Sequence, residues 1–389
     1  MGAVNTIEAE ELLNWEKKSY LPLDIRDRGA FEYGHMPYAV NVPYDELEAE
    51  INKAGGAFSD KKEKRIVVYC QKGIVSAEAS SLLAERGFEV YELKGGYLNW
   101  LMKSTEKALG SPDEKSSADI EQDIRKRFRK SLWCRFTKAI TQYDLVKEGD
   151  KIAVCISGGK DSMLMAKLFQ ELKRHDKFPF ELVFLVMDPG YSPANRKLIE
   201  SNAERLGIPI TVFETDIFES VFNVEKSPCY LCARMRRGHL YSKAQELGCN
   251  KIALGHHYDD VIETILMGML YGGQIQTMMP KLHGTNFEGM ELIRPMYLIR
   301  ESTIKAWRDY NNLHFLQCAC KFTETCTTCG DGGGNSKRQE IKLLIRELKK
   351  TNPFVEGNIF KSVENVNLST IVAYKKDGIK HHFLDDYDL

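Results

Sequence analysis

Nowhere in the 389 residues does an apolar run approach the length that crosses a bilayer, which excludes a helical membrane span from the reading. An apolar signal core is missing too: Met1-Gly2-Ala3-Val4-Asn5-Thr6 leads into an acidic stretch, which argues against secretion. Those six residues fit the loose N-myristoylation pattern, a match that chance supplies often. Net charge is absent as well, since 54 basic and 55 acidic side chains leave −1, so bulk charge names no partner. No internal repeat occurs, and no GxxxxGK[ST] phosphate loop. Cysteine is not scarce. Ten cysteines without a secretory signal fit a reducing, cytoplasmic setting, where thiols serve metals or redox chemistry. The length calls for two or three domains, and 43% hydrophobic with 28% charged residues is an ordinary soluble composition.

Residues 152–162, Ile-Ala-Val-Cys-Ile-Ser-Gly-Gly-Lys-Asp-Ser, carry the most information. Ile152 to Ile156 reads as a strand buried on both faces, and Ser157-Gly158-Gly159 as a turn open to close backbone approach. A helix follows through Leu164, Ala166 and Leu168. Converging N–H groups ahead of a helix N-terminus make an anion site suited to phosphate. SGGKDS resembles the PP-loop of ATP pyrophosphatases, which adenylate an oxygen of their substrate. That resemblance implies ATP with Mg²⁺, held by Ser157, Gly158, Gly159, Lys160, Asp161 and Ser162, with Asp161 essential to the chemistry.

A second strand pattern, Arg65 to Tyr69, ends on Cys70 and is followed by Gln71-Lys72-Gly73-Ile74-Val75-Ser76 and a helix from Ala77 to Glu85. A sulfur at a strand end, in a loop feeding a helix N-terminus, meets N–H groups that can cradle an anion, a persulfide included. CQKGIVS resembles the CxxGxxS active loop of rhodanese domains. Leu23-Asp24-Ile25-Arg26-Asp27, Phe31 to His35, Ala39 to Pro43 and Leu93-Lys94-Gly95-Gly96 with Trp100 agree with it. The resemblance implies that Cys70 is catalytic. Lys72 stands near the place where the family often has an arginine.

Basic residues cluster. Arg125, Lys126, Arg127, Arg129, Lys130, Arg135 and Lys138 fall within fourteen residues that contain no acid. Phe128, Leu132, Trp133, Phe136 and Ile140 interleave at helical spacing, so one face can pack while the other offers cations to a phosphate backbone. A solvated basic helix is the plainer alternative.

Cys134, Cys155 and Cys249 stand alone in apolar segments and read as core. Cys229-Tyr-Leu-Cys232 lies between the PP-loop and Ala253-Leu254-Gly255-His256-His257-Tyr258-Asp259-Asp260, and Cys318, Cys320, Cys326 and Cys329 come late. With Glu263-Thr264, Tyr271-Gly272-Gly273, Pro280-Lys281-Leu282, Ile293-Arg294-Pro295 and Lys337-Arg338-Gln339, this order resembles the tRNA 2-thiocytidine synthetase (TtcA-type) family over about residues 120–370. The resemblance implies a [4Fe–4S] cluster on Cys229, Cys232 and a late cysteine. Three thiolates leave one iron open to sulfide. Asn312 to Phe315 reads as a short strand, which favours Cys320, with Cys318 and Cys329 as alternatives. The four late cysteines could instead bind zinc by themselves. Gly255, His256 and Asp260, with His257 beside them, are expected in a second loop lining the ATP site.

The expected organisation is α/β throughout: a rhodanese-like parallel-sheet domain at 1–105, a linker at 106–120, a doubly wound PP-loop domain at 121–370 and a tail at 371–389. A flexible linker is expected to tether two separate chemistries. The expected activity is ATP-dependent tRNA thiolation, at an anticodon-loop cytidine, with sulfur carried as a Cys70 persulfide. Expected partners are tRNA and a cysteine desulfurase or other persulfide donor, with no membrane; relatives in the resembling family are often homodimers. Thiolation of another tRNA uridine or a non-tRNA acceptor is the alternative enzyme. A sulfur carrier with a non-catalytic nucleotide site is the alternative from another class.

Overall fold

The computed structural model describes residues 4–53, 58, 64–108, 115–218, 228–316, 337–385 and 387. The chain divides into two compact units, Met1–His257 with Pro280–Gly334, and Tyr258–Met279 with Asn335–Leu389.

The first unit carries two sheets. The N-terminal part runs β1 (Val4–Ile7), α1 (Ala9–Leu12), β2 (Tyr20–Asp24), α2 (Arg28–Tyr33), β3 (Val40–Asn41), α3 (Tyr44–Ile51), β4 (Arg65–Tyr69), α4 (Ser76–Glu85), β5 (Val90–Leu93) and α5 (Gly96–Ala108). Its five strands take the order β1-β5-β4-β2-β3, and every pairing is parallel. Ile66 to Tyr69 are fully buried, as a central parallel strand requires. The expected small parallel sheet is present.

The chain then passes through α6 (Ser117–Arg125), a π-helical turn (Arg129–Trp133) and α7 (Cys134–Gln142). Ser116 caps α6 in a reciprocal box with Asp119. Next come β6 (Lys151–Ile156), α8 (Lys160–Arg174), β7 (Glu181–Asp188), α9 (Pro193–Arg205), β8 (Ile210–Glu214), α10 (Pro228–Glu246), β9 (Lys251–Ala253), α11 (Tyr258–Gly272), β10 (Lys281–His283), β11 (Glu291–Ile293) and α12 (Glu301–Tyr310). The second sheet has the order β10-β11-β9-β6-β7-β8, parallel except for its edge strand β10. The chain steps from β6 to β7 to β8 in one direction and returns with β9 on the other side of β6. The carboxyl ends of β6 and β9 therefore border a topological switch point, where open α/β sheets bind ligands.

Two expectations need correction. Asn312 to Phe315 forms no strand: Asn312 takes a positive φ of 48° and the segment has no sheet partner among the described residues. The segment packs by side chains instead, with Leu313, Phe315 and Leu316 buried. The two α/β parts are also not merely tethered. Tyr97, Trp100 and Leu101 from α5 join one buried cluster with Ile199, Trp307, Leu313 and Phe315, and α5 packs against α9. Aromatic residues along one side of α5 make that union, because burying them removes a large apolar area from water.

The second unit contains α11, α13 (Lys337–Thr351), α14 (Val355–Ser362) and a hairpin of β12 (Ala373–Lys376) with β13 (Ile379–His382). The three helices pack on one another, and Tyr258 stacks on Phe360 at 4.4 Å between ring centres.

Candidate functional site

The nucleotide candidate forms where β6 meets α8. Gly158 turns the chain with φ +84°, and a Cβ there would lie 2.5 Å from Ile199 Cγ1, so glycine is required on both counts. The loop ties itself together through Ser162: the Ser157 N–H donates to Ser162 Oγ at 3.1 Å, and the Ser162 hydroxyl donates to the Gly159 carbonyl at 3.0 Å. Ser162 thus shapes the loop from within. Gly255, in the loop after β9, comes so close that a Cβ would meet Ser162 N at 3.2 Å. The switch point therefore brings these two loops together.

Lys160 is almost fully buried, yet charged groups surround it. Its ammonium donates to Asp161 Oδ2 at 3.0 Å and lies 3.2 Å from Glu301 Oε1. Burial alone would discharge it; Asp161, Tyr33 and Glu301 outweigh that and raise its pKa above the ordinary value. Asp161 Oδ1 is a buried oxygen with no hydrogen-bond donor among the described residues, and His257 Nε2 is 3.8 Å away. A carboxylate oxygen left in that condition fits a cation or ligand donor not belonging to the chain. His256 sits beside it in the same loop. Asp260 lies in the second unit on α11, where Arg338 Nη1 donates to its Oδ1 at 3.1 Å and Glu263 is 3.5 Å from Arg338 Nε.

The sulfur candidate, Cys70, follows β4 and is buried. The Gly73 N–H donates to its Sγ at 3.1 Å, and its thiol lies 3.6 Å from Ser76 Oγ, whose hydroxyl donates to Glu92. The start of α5 clamps this loop. Tyr97 N–H donates to the Cys70 carbonyl at 2.8 Å and Leu98 N–H to Gln71 at 3.1 Å. At Gly96, with φ +62°, a Cβ would strike the Cys70 carbonyl at 2.5 Å and Gly73 N at 2.7 Å. The Gly95-Gly96 pair lets α5 approach the cysteine loop.

Cys229 and Cys232 open α10 three residues apart. Cys232 is buried. The Cys229 side chain and Cys318, Cys320, Cys326 and Cys329 lie outside the described residues. Cys155 and Cys249 are core; burial, aided by Cys249, pushes the Cys155 thiol up to about 12.

Sequence reading missed a strut between the two sites. Arg26, held bidentately by Asp24, donates from Nη1 to Gln71 Oε1 at 2.9 Å and from Nη2 to the Gly34 carbonyl at 2.7 Å. Next to Gly34, the Tyr33 hydroxyl donates to the Leu316 carbonyl at 2.7 Å, and Arg308 Nη1 donates to the Tyr33 carbonyl. The Tyr33 ring lies 4.6 Å from the Lys160 ammonium. Asp24-Ile25-Arg26 is visible as a motif, but no local signal points from Tyr33 to Lys160, which are far apart in sequence.

Both α/β parts resemble known proteins. A family model described as PP-loop domain matches residues 129–320, and one described as rhodanese-like domain matches residues 7–103. A tRNA-cytidine(32) 2-sulfurtransferase of Syntrophotalea carbinolica is 36% identical over 232 residues, covering 59% of this chain and 86% of the relative. One of Chromohalobacter salexigens is 34% identical over 248 residues, covering 62% and 82%. Among solved structures, the U34-tRNA thiolase NcsA from Methanococcus maripaludis with its [4Fe-4S] cluster is 22% identical, with a TM-score of 0.47, covering 60% of this chain and 78% of that one.

Proposed function

The chain belongs to the tRNA-cytidine(32) 2-sulfurtransferase family, and from that premise we propose that it replaces the 2-oxygen of a tRNA cytidine with sulfur. It is an enzyme, an ATP-dependent tRNA sulfurtransferase. The observation that carries the reading is the PP-loop at the switch point, with a buried lysine and an unpartnered carboxylate oxygen on Asp161. Gly158 and Gly159 keep side chains out of the turn ahead of α8, and Lys160 and Asp161 are the residues that would hold ATP and Mg²⁺ there. The base oxygen attacks the α-phosphorus of ATP and pyrophosphate leaves. Adenylation turns a poor oxygen leaving group into AMP, which hydrosulfide then displaces; a Cys70 persulfide yields that hydrosulfide when an external thiol reduces it and is itself oxidised to a disulfide.

Cys70, loaded by a cysteine desulfurase or another persulfide donor, carries the sulfur, cradled by the Gly73 N–H. Cys229, Cys232 and one late cysteine (Cys320, or else Cys318 or Cys329) are the proposed holders of a [4Fe–4S] cluster, which when bound supplies an iron free of protein ligands. A tRNA loop offers unstacked bases that can enter a pocket. Among the described residues no helix is long and apolar enough to cross a membrane, and the proposed reaction takes place in the cytoplasm.

The test incubates anaerobically purified protein with unmodified tRNA, ATP, Mg²⁺ and sulfide, and digests the tRNA to nucleosides for mass spectrometry. The expected product is 2-thiocytidine, with one AMP and one pyrophosphate per thiolated base. Thiouridine alone would replace the target base, and no thionucleoside at all would sink the reading.

A further inference from the structure

The Lys160 ammonium lies in the loop proposed to take a triphosphate, yet the lysine is only 2% exposed. Three groups cover it. Asp161 belongs to the same loop, and Glu301 begins α12. The third, Tyr33, comes from the rhodanese-like part and lays its ring 4.6 Å from the charge. The Tyr33 hydroxyl is also 3.0 Å from the place a Gly159 Cβ would occupy, with the Leu316 carbonyl 3.6 Å from the same point. Phosphate cannot reach this side of the loop while Tyr33 is seated. Tyr33 is fastened by its hydroxyl to Leu316 and by its carbonyl to Arg308, and burial pushes its phenol up to about 12, so it stays a neutral donor.

We propose that Tyr33 is a gating residue of the nucleotide site, lent to it by the sulfur-carrying domain. Tyr33 seated on Lys160 and ATP bound to Lys160 exclude each other. This rests on the reading of the PP-loop as an ATP site. Opening needs the end of α2 to move, not the whole domain, because α5 keeps its separate packing on α9. The adjoining Gly34 carbonyl is held by Arg26, which also holds Gln71 beside Cys70. The gate and the cysteine loop thus share one buried guanidinium.

The test measures Mg²⁺–ATP binding to the full chain by equilibrium dialysis, with Tyr33→Ala and Tyr33→Phe beside the unaltered protein. Tyr33→Ala should bind ATP about tenfold more tightly, the weight of one hydrogen bond and one cation–π contact removed from the closed state. Tyr33→Phe keeps the ring over Lys160 and should fall between the two. In the unaltered protein, ATP should speed amide hydrogen exchange at 34–36 and 313–315, a readout that does not depend on any variant folding. Equal ATP affinity in all three proteins, weaker binding by Tyr33→Ala, or unchanged exchange on adding ATP would overturn the gate while leaving the ATP site standing. No ATP binding by any of the three would overturn the site reading, and the gate with it.

Discussion

At the scale of single residues, two cysteines show how surroundings decide chemistry. Cys70 has the Gly73 N–H aimed at its sulfur and a loop pinned by Gly96. Cys155 lies inside β6, and its thiol is pushed up to about 12 by burial, which leaves an inert side chain at neutral pH. Sequence context separated them, because one ends its strand at a glycine-bearing loop and the other is mid-strand. Cys70→Ser should lower thiolation from thiosulfate or a desulfurase by about a hundredfold or more, the loss typical of a removed nucleophile. With free sulfide it should stay near the unaltered rate, because adenylation is placed on Asp161 and its loop. Equal loss with both donors, measured as thionucleoside formed, would put Cys70 inside the adenylation site. No loss with either would make the front domain a passenger.

The basic segment is legible only as an element. Ile120, Ile124, Phe128, Leu132, Phe136 and Ala139 are buried along α6, the π-helical turn and α7. Lys126, Arg127, Arg129, Lys130, Arg135 and Lys138 are exposed, so the expected division between packed and cationic sides holds. The π-helical turn inserts the extra residue that keeps the apolar side inward over this length. Arg125 is set apart, lying 3.5 Å from buried Glu171 and serving the fold. Reversing charge at Arg129, Lys130 and Arg135 should weaken tRNA binding about equally for any tRNA sequence. It should also flatten the plot of log affinity against log salt by roughly 0.7–1 for each phosphate no longer neutralised. Filter binding across a salt series measures both. An unchanged slope would mean that these cations only solvate the helix.

At the scale of the whole first unit, the seam between the two α/β parts contains a half-buried histidine. His314 packs edge-on against Trp100 at 5.2 Å, and its carbonyl accepts from Asn202. Burial first, then the neighbouring Arg205, Arg308 and His35, push its pKa from 6.5 down to about 3. A histidine depressed in the folded state is neutral there, while the unfolded chain protonates near the ordinary value. Its contribution to stability is therefore complete above pH 6.5 and is lost as the pH falls toward 3. His314→Phe should keep the aromatic packing and remove this proton uptake. The stability-against-pH slope below pH 6.5 should then be shallower by up to about 1.4 kcal/mol per pH unit. Chemical denaturation followed by tryptophan fluorescence between pH 7 and 5 checks this, and identical slopes in both proteins would refute it.

Strand, loop and helix at both SGGKDS and CQKGIVS were determined by the sequence alone, since branched apolar runs, obligatory glycines and helix starts are local preferences. Tertiary structure alone decided that Gly255 would press on Ser162, because strand order, not spacing, places β9 beside β6. It also turned an expected tether into a shared core, through the aromatic side of α5. The seating of Tyr33 on Lys160 joins residues more than a hundred positions apart. No local preference encodes such a contact; it exists only once apolar burial has brought the two sheets together.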